Sequence, residues 1–246
     1  MKLYGLIGYP LGHSFSKQYF TDKFINEGIK DCAYNNFPIP SIEALKTILL
    51  ANPNLCGFNI TIPYKQAVIP FLDDTSNLPF GINACNCVKI NAGKLIGYNT
   101  DVIGFEKSLL PLLKSNHTKA LILGNGGAAE AVKFVLKKLD IESKIVSRKL
   151  HNGAQLTYED LNANITKEHL LIINTSPVGT FPNENECPAI PYQFLTTNHY
   201  LFDLVYNPST TKFLQKGAEQ GAVIKNGSDM LQIQADESWK IWNKNI

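Results

Sequence analysis

The sequence lacks a marked excess of charge of either sign. Its 246 residues carry 23 Lys and Arg against 21 Asp and Glu, a formal net charge of +2, with no run of five or six like charges. Domains that bind nucleic acid usually carry a basic patch or tail. The composition therefore gives no reason to expect a nucleic-acid partner.

Long apolar stretches are absent as well. No segment approaches the roughly 20 apolar residues that cross a bilayer, so we expect no membrane association. Residues 1–8 read as a strand that runs into a glycine turn, and this strand is too short for the apolar region of a signal peptide.

Cysteine is scarce and irregularly spaced. The five cysteines form no repeated C-x-x-C pattern, so we expect reduced thiols in a cytoplasmic protein rather than a disulfide framework. Cys85 and Cys87 flank Asn86 as a lone C-x-C, which favours buried thiols over a metal site. We expect no bound metal.

A polar strand that stops near a lysine is the most informative pattern. Asn59 and Thr61 should share one face of this strand, since side chains alternate. Pro63 cannot donate to a sheet ladder, so the strand should end there and present Lys65 at its carboxyl edge, where α/β sheets bind ligands. A solvated edge strand is the alternative. The other face should be apolar, with Phe58, Ile60 and Ile62.

Two serines precede the first predicted helix. Phe20 and Phe24 recur at helical spacing up to Gly28, a plausible stop. Ser14 and Ser16 should therefore lie at the helix N-terminus, where free backbone N–H groups favour an anion. A simple N-cap role for one of them is the alternative.

Asp101 follows a predicted hairpin. Residues 87–90 and 94–98 flank the turn at 91–93, and the second arm runs into Asn99, Thr100 and Asp101 before a helix. Asp101 should lie at a strand-to-helix junction, where the structural alternative is an N-cap or first-turn carboxylate. The strand–helix–strand order before the hairpin predicts parallel pairing.

A glycine-rich turn follows the polar stretch 114–118, a candidate linker. An apolar strand at 119–123 leads into this turn and then into an alanine-rich helix, which is the context of a dinucleotide-binding loop. The candidate loop residues are Gly124, Asn125, Gly126, Gly127, Ala128 and Ala129.

The next strand ends in Ser147, Arg148 and Lys149. An NAD enzyme typically has a carboxylate at this point, whereas a guanidinium can pair with a 2′-phosphate. The implied cofactor is NADP. Further strands at 170–174, 200–205 and 222–224 should extend the same sheet.

The last predicted helix begins beyond Gly227. Met230, Ile233, Glu237 and Ile241 fall on one stripe, so we expect this stripe to pack on the first part of the chain, with Gln234 pointing elsewhere.

These motifs in this order resemble the shikimate dehydrogenase family, NADP-dependent enzymes of aromatic amino acid biosynthesis. The resemblance covers nearly the whole chain. It implies an α/β fold of two domains with a cleft between them: a substrate-binding domain (1–103 with 228–246) and an NADP-binding Rossmann domain (104–227). The segments that carry it are 14–16, 59–65, 83–86, 99–104, the glycine loop, 203–208 and 230–234.

The resemblance also implies roles for single residues. Lys65 and Asp101 would be the catalytic pair, and Leu204 and Gly227 would join the cofactor site. The substrate carboxylate would be held by Ser14, Ser16 and Tyr206. The substrate hydroxyls would be held by Asn59, Thr61, Asn86, Asp101 and Gln234.

The implied reaction is reversible reduction of 3-dehydroshikimate to shikimate by NADPH, in a cytoplasmic monomer or homodimer. The new alkoxide oxygen needs a proton or a cation beside it, and Lys65 can supply either. A quinate or other polyol-acid dehydrogenase, and a non-catalytic regulator that senses the metabolite, are the alternatives.

Three departures from the family pattern stand out. Lys17 replaces a usual proline, Ser147-Arg148-Lys149 replaces Asn-Arg-Thr, and Cys87 follows Asn86 where the family has threonine. The region after Arg148 is trimmed.

Overall fold

Strands and helices alternate through the computed structural model, which describes residues 1–12, 15–150 and 153–244. By their contacts they form two compact units, Met1–Ile103 with Gln234–Ile246, and Gly104–Ile233. The polar stretch 114–118 lies inside the second unit rather than at a boundary.

The first unit contains a five-stranded sheet in the order β2-β1-β3-β4-β5. The first three strands pair in parallel, and the last two form the predicted antiparallel hairpin. Ala92 and Gly93 both have positive φ, as a tight hairpin turn requires. The strands are β1 (Lys2–Gly8), β2 (Cys32–Pro38), β3 (Leu55–Ile60), β4 (Cys87–Asn91) and β5 (Lys94–Tyr98).

Alternation along β1 builds a core on each face of this sheet. Leu3 and Ile7 pack into one cluster of buried residues, and Tyr4 and Leu6 pack into another. The helices of the first unit are α1 (Phe15–Asn26) and α2 (Leu45–Ala51), which follows a 3-10 turn at Ile42–Ala44.

The third strand ends earlier than the sequence predicts. β3 stops at Ile60, and the backbone N–H of Thr61 still donates to the carbonyl of Ile7 at 2.9 Å. Ile62 is 71% exposed, so its predicted place on the apolar face is wrong. The chain has already turned out of the sheet, and Tyr64 is buried instead, with its hydroxyl donating to the carbonyl of Ile39 at 2.7 Å.

The second unit contains a six-stranded parallel sheet in the order β11-β10-β9-β6-β7-β8. With β6 numbered as strand 1 and the sheet read from the β8 edge, that order is the 3-2-1-4-5-6 of the Rossmann fold. The strands are β6 (Lys119–Leu123), β7 (Glu142–Ser147), β8 (Leu156–Thr157), β9 (Leu171–Asn174), β10 (Tyr200–Asp203) and β11 (Val223–Lys225). The helices that follow them include α4 (Gly127–Lys138), α5 (Ala163–Glu168) and α6 (Lys212–Glu219).

Two helices contain residues of both units: α3 (Thr100–Leu109) and α7 (Ser228–Asn243). The buried face of α7 coincides with the predicted stripe only in part. Of the stripe, Met230 is buried and Ile233, Glu237 and Ile241 are partly buried, and Ile241 packs against the core of the first unit. The other buried positions of the helix lie off the stripe: Gln234, Ala235, Ser238 and Trp242.

The contacts of Trp242 explain which face of α7 is buried. Its indole N–H donates to the carbonyl of Val88 at 3.0 Å, and its ring stacks on Tyr4 with centroids 4.8 Å apart. Gly57 makes room for it, because a Cβ there would lie 2.4 Å from the indole. Of the helices described, none is long and apolar enough to cross a membrane.

Candidate active site

Lys65 and Asp101 form an ion pair in the first unit. Lys65 lies in the turn after β3 and Asp101 in the first turn of α3, and Nζ and Oδ2 are 2.6 Å apart. The two side chains are only 18% and 10% exposed. The structure thus brings together the two residues predicted to be catalytic.

Neighbouring backbone and side chains hold this pair in place. The Lys65 carbonyl accepts a hydrogen bond from the N–H of Cys85 at 2.8 Å. The N–H of Val102 donates to Asn99 Oδ1 at 3.3 Å, so Asn99 caps α3 and leaves the Asp101 carboxylate for Lys65. An ammonium group has three N–H donors, of which the ion pair uses one. The arrangement can therefore offer a proton or a positive charge to an oxygen beside it.

Asn59, on β3, belongs to a buried hydrogen-bond network. Its Oδ1 accepts from the hydroxyl of Tyr34 at 3.0 Å. Its Nδ2 donates to the carbonyl of Asn86 at 3.2 Å and to Ser238 Oγ at 2.9 Å. Both amide hydrogens are therefore used within the protein, and only Oδ1 retains capacity, as an acceptor.

Asn86 is tied to the start of α3. Its Oδ1 accepts from the backbone N–H of Thr100 at 2.7 Å, and its Nδ2 donates to Thr100 Oγ1 at 3.0 Å. Gln234 lies on the other side of the same threonine, with Oε1 3.5 Å from Thr100 Oγ1. Gln234 lies off the predicted stripe, as expected, but it is buried.

Of the three residues predicted to bind the substrate carboxylate, the structure describes Ser16 and Tyr206. Ser16 lies in the first turn of α1, as expected, and hydrogen-bonds the hydroxyl of Tyr34. Ser14 lies outside the described residues. Tyr206 belongs to the second unit, and burial raises the pKa of its hydroxyl. Thr61 is half-buried just past β3. Its predicted contact with a substrate hydroxyl stays a prediction.

The two cysteines beside Asn86 are buried thiols. Burial raises the pKa of Cys85 to about 11, and it raises the pKa of Cys87 further. Both groups are therefore protonated at neutral pH, unlike thiolates that bind metals. Across residues 1–12, 15–150 and 153–244, no cluster of three or more His, Cys, Asp or Glu residues could hold a metal ion.

The glycine loop of the second unit connects β6 to α4. Gly124 has φ of +105°, which favours glycine, and Gly126 is the N-cap of the helix. The hydroxyl of Thr175, after β9, donates to the carbonyl of Gly124 at 3.2 Å. Ala129 is buried, so alanine still permits close helix packing. The N-terminus of α4 is the kind of position where backbone N–H groups can bind a phosphate. Cofactor binding by Gly124, Asn125, Gly126, Gly127 and Ala128 stays a prediction.

The three residues after β7 divide into a structural part and an exposed part. Ser147 is buried, and its hydroxyl donates to the carbonyl of Lys149. Arg148 and Lys149 are exposed. Burial raises the pKa of Tyr158 while the charge of Arg148 lowers it, which places the guanidinium near this ring. Ser147 thus shapes the turn that presents Arg148.

Leu204 and Gly227 lie side by side at the ends of β10 and β11. A Cβ at Gly227 would lie 2.3 Å from the carbonyl oxygen of Leu204, so only glycine fits there. The neighbouring Asp203 is fully buried and accepts from Thr211 Oγ1 at 2.5 Å, Asn174 Nδ2 at 2.9 Å and the N–H of Val205 at 3.0 Å. Burial raises the pKa of this carboxyl to about 6.

Sequence reasoning missed three residues of the first unit's network. Tyr34, Thr100 and Ser238 connect the predicted substrate residues to one another. Thr100 directly precedes Asp101, and Ser238 lies one helical turn after Gln234, so both could have been found by spacing. Tyr34 carried no signal of its own.

The chain is similar to known proteins over nearly its whole length. Residues 6–88 match the model of the shikimate dehydrogenase substrate binding domain. Shikimate dehydrogenase (NADP(+)) of Methanococcus maripaludis is 39% identical over an alignment of 264 residues, gaps included. The alignment covers 98% of this chain and 91% of the relative. The enzyme of the same name from Halothermothrix orenii is 37% identical, over 97% of this chain and 89% of the relative.

A solved structure is similar over the same length. Shikimate 5-dehydrogenase from Thermus thermophilus, in complex with NADP(H) and shikimate, has a TM-score of 0.85 at 27% identity and covers 99% of this chain and 94% of its own.

Proposed function

The chain belongs to the shikimate dehydrogenase family, and we propose on this basis that it catalyses the NADP-dependent, reversible reduction of 3-dehydroshikimate to shikimate in aromatic amino acid biosynthesis. One observation of the geometry carries the proposal. Lys65, in the turn after β3, and Asp101, in the first turn of α3, pair at 2.6 Å and are largely shielded from solvent.

The second unit fits NADP. The loop between β6 and α4 has Gly124 at positive φ before the helix N-terminus. Gly227 lies so close to Leu204 that no side chain fits there, and Arg148 is exposed after β7. When bound, NADPH supplies the hydride that reduces the ketone. Arg148, with Lys149, would pair with the 2′-phosphate, and the glycine loop would hold the pyrophosphate.

Lys65 would give its proton to the ketone oxygen as that oxygen becomes an alkoxide, and would take the proton back in the oxidation of shikimate. Asp101 would hold the ammonium group in position and accept a hydrogen bond from a substrate hydroxyl. Asn59, Thr61, Asn86 and Gln234 would bind the remaining hydroxyls, in the domain formed by residues 1–103 and 228–246.

Ser14 and Ser16, with Tyr206, would bind the substrate carboxylate. Three hydroxyls and backbone N–H groups can satisfy a carboxylate, but they leave no partner for the extra hydroxyl of quinate. A buried hydroxyl without a partner costs about 1 to 3 kcal/mol, so shikimate should be preferred roughly ten- to hundredfold in kcat/KM.

We also infer a reducing, cytoplasmic compartment and a monomeric or homodimeric enzyme. All five cysteines are free thiols, which suits such a compartment. Light scattering on the purified protein would distinguish the two oligomeric states.

The proposal is tested by following formation of the reduced cofactor, NADPH or NADH, with shikimate and with quinate, each with NADP and with NAD. We expect turnover of shikimate with NADP, and much weaker turnover of quinate. Equal kcat/KM for the two acids would favour a polyol-acid dehydrogenase of broader specificity. Binding of shikimate without turnover would favour a regulator.

A further inference from the structure

A continuous chain of buried hydrogen bonds lies behind the predicted substrate residues of the first unit. Its buried part runs from Tyr34 through Asn59 and Ser238 to Thr100, and the half-buried Ser16 contacts the hydroxyl of Tyr34 at one end. We call it the Tyr34–Ser238 chain. Tyr34 and Ser238 have no role in the proposed reaction so far. Both are buried.

The direction of the hydrogen bonds in this chain can be assigned. The hydroxyl of Tyr34 donates to Asn59 Oδ1 at 3.0 Å. A phenol has one hydrogen, so in its contact with Ser16 the serine hydroxyl is the donor. Tyr34 thus connects a serine predicted to bind the substrate carboxylate to an amide predicted to face a substrate hydroxyl.

Ser238 is saturated in the same way. Its hydroxyl donates to the carbonyl of Gln234 at 2.9 Å and accepts from Asn59 Nδ2 at 2.9 Å. Thr100 Oγ1 lies 3.3 Å from the same hydroxyl. Ser238 therefore fixes the Asn59 amide from the side opposite Tyr34 and ties it to the start of α3.

We propose that Tyr34 and Ser238 are positioning residues for substrate binding, which together hold the Asn59 amide and couple the carboxylate-binding end of the site to the hydroxyl-binding end. The inference rests on the proposed function. It follows from the hydrogen bonds of Asn59. Because both amide hydrogens are donated inside the protein, the amide has one orientation, in which Oδ1 is the acceptor. Removing the hydroxyl of Tyr34 or of Ser238 would let the Asn59 side-chain amide adopt other orientations, and substrate binding would then have to order it.

Tyr34→Phe and Ser238→Ala test this with small changes. The first keeps the ring, which stacks on Phe20 at 4.5 Å, and removes only the hydroxyl. We expect each variant to raise KM for shikimate about five- to twentyfold, the value of about one buried hydrogen bond. kcat should change less than threefold, and KM for NADP should not change, because the cofactor residues belong to the other unit.

Tyr19→Phe is the matched control. The hydroxyl of Tyr19 also links α1 to α7, donating to Asp236 Oδ1 at 2.7 Å, but it is not part of the Tyr34–Ser238 chain. Asp236 keeps Lys23 as a partner in this variant. We expect a small loss of thermal stability and an unchanged KM for shikimate.

A double-mutant cycle gives the decisive comparison. Tyr34 and Ser238 act through one amide, so the double variant should raise KM less than the product of the two single effects. Tyr19→Phe combined with Ser238→Ala should be multiplicative.

Two outcomes would contradict the account in different ways. A wild-type protein that does not oxidise shikimate would contradict the proposed function, and this inference with it. An active wild type, with KM for shikimate unchanged in both single variants or with multiplicative effects in their double variant, would overturn the inference alone.

Discussion

Replacing Lys65 by methionine should abolish most of the catalytic rate and little of the substrate affinity. Methionine keeps much of the side chain's apolar length and removes the ammonium group from the pair with Asp101. A positioned acid or base typically contributes about 10² to 10⁴ in rate, so we expect kcat to fall by that factor. KM for shikimate should change less than threefold.

The structure separates this loss from a loss of stability. Lys65→Met leaves the Asp101 carboxylate, only 10% exposed, without the cation that lies 2.6 Å from it. Removing one partner of a fully buried pair costs roughly 3 to 5 kcal/mol, and we expect about 1 to 3 kcal/mol for this partly exposed one. A domain that remains folded would not lose a hundredfold in kcat for that reason.

Initial rates with saturating NADP, together with thermal unfolding, distinguish the two effects. Lys23→Met is the control: Lys23 is 15% exposed in the same unit and pairs with Glu27 at 2.7 Å and Asp236 at 3.0 Å. It should lose comparable stability and keep its kcat. A Lys65→Met variant with near-normal kcat would remove Lys65 from the mechanism.

Two further predictions concern the second unit. Arg148→Ala should raise KM for NADP by a factor that corresponds to about 1.5 to 3 kcal/mol of binding free energy and leave KM for NAD nearly unchanged. Lys137 is exposed in the last turn of α4, and the control Lys137→Ala should alter neither KM. Equal use of NAD and NADP by the wild type would refute the assignment. Burial raises the pKa of Asp203 from 3.8 to about 6, so the folded state binds more protons between these values and loses stability as pH rises through them. Relative to Asp203→Asn, wild type should lose about 2 kcal/mol of unfolding free energy between pH 4 and pH 7. Parallel pH curves from chemical denaturation would contradict this.

The elements with a local signal were predictable from the sequence. The turn Asn91-Ala92-Gly93 between two alternating strands indicated the hairpin, and the glycines at 124 and 126 between a strand and an alanine-rich helix indicated the β6–α4 connection. In each case neighbouring residues alone determine the backbone conformation.

Predictions that depended on tertiary contacts were less successful. The stripe on α7 was right only in part, because hydrophobic spacing cannot show that Trp242 donates to the carbonyl of Val88 and packs against Gly57. Ile62 was assigned to the core because alternation cannot show where a strand leaves its sheet.

The residues of the candidate site likewise fall into those predictable from local signals and those that depend on tertiary contacts. Lys65 and Asp101 were found by their positions at element ends and by resemblance, and the structure pairs them. The Tyr34–Ser238 chain could not be found in that way. Asn59 and Ser238 are 179 residues apart, and only the folded chain makes them neighbours.

The most direct test of the account is product identification in the reductive direction. Purified protein is incubated with 3-dehydroshikimate and NADPH, and the acid formed is identified by NMR while NADPH absorbance is followed. The account predicts shikimate, formed in equal amount to the NADPH consumed by the wild type and at least a hundredfold more slowly by Lys65→Met. NADPH consumption without shikimate, or no consumption by a folded wild-type protein, would contradict it.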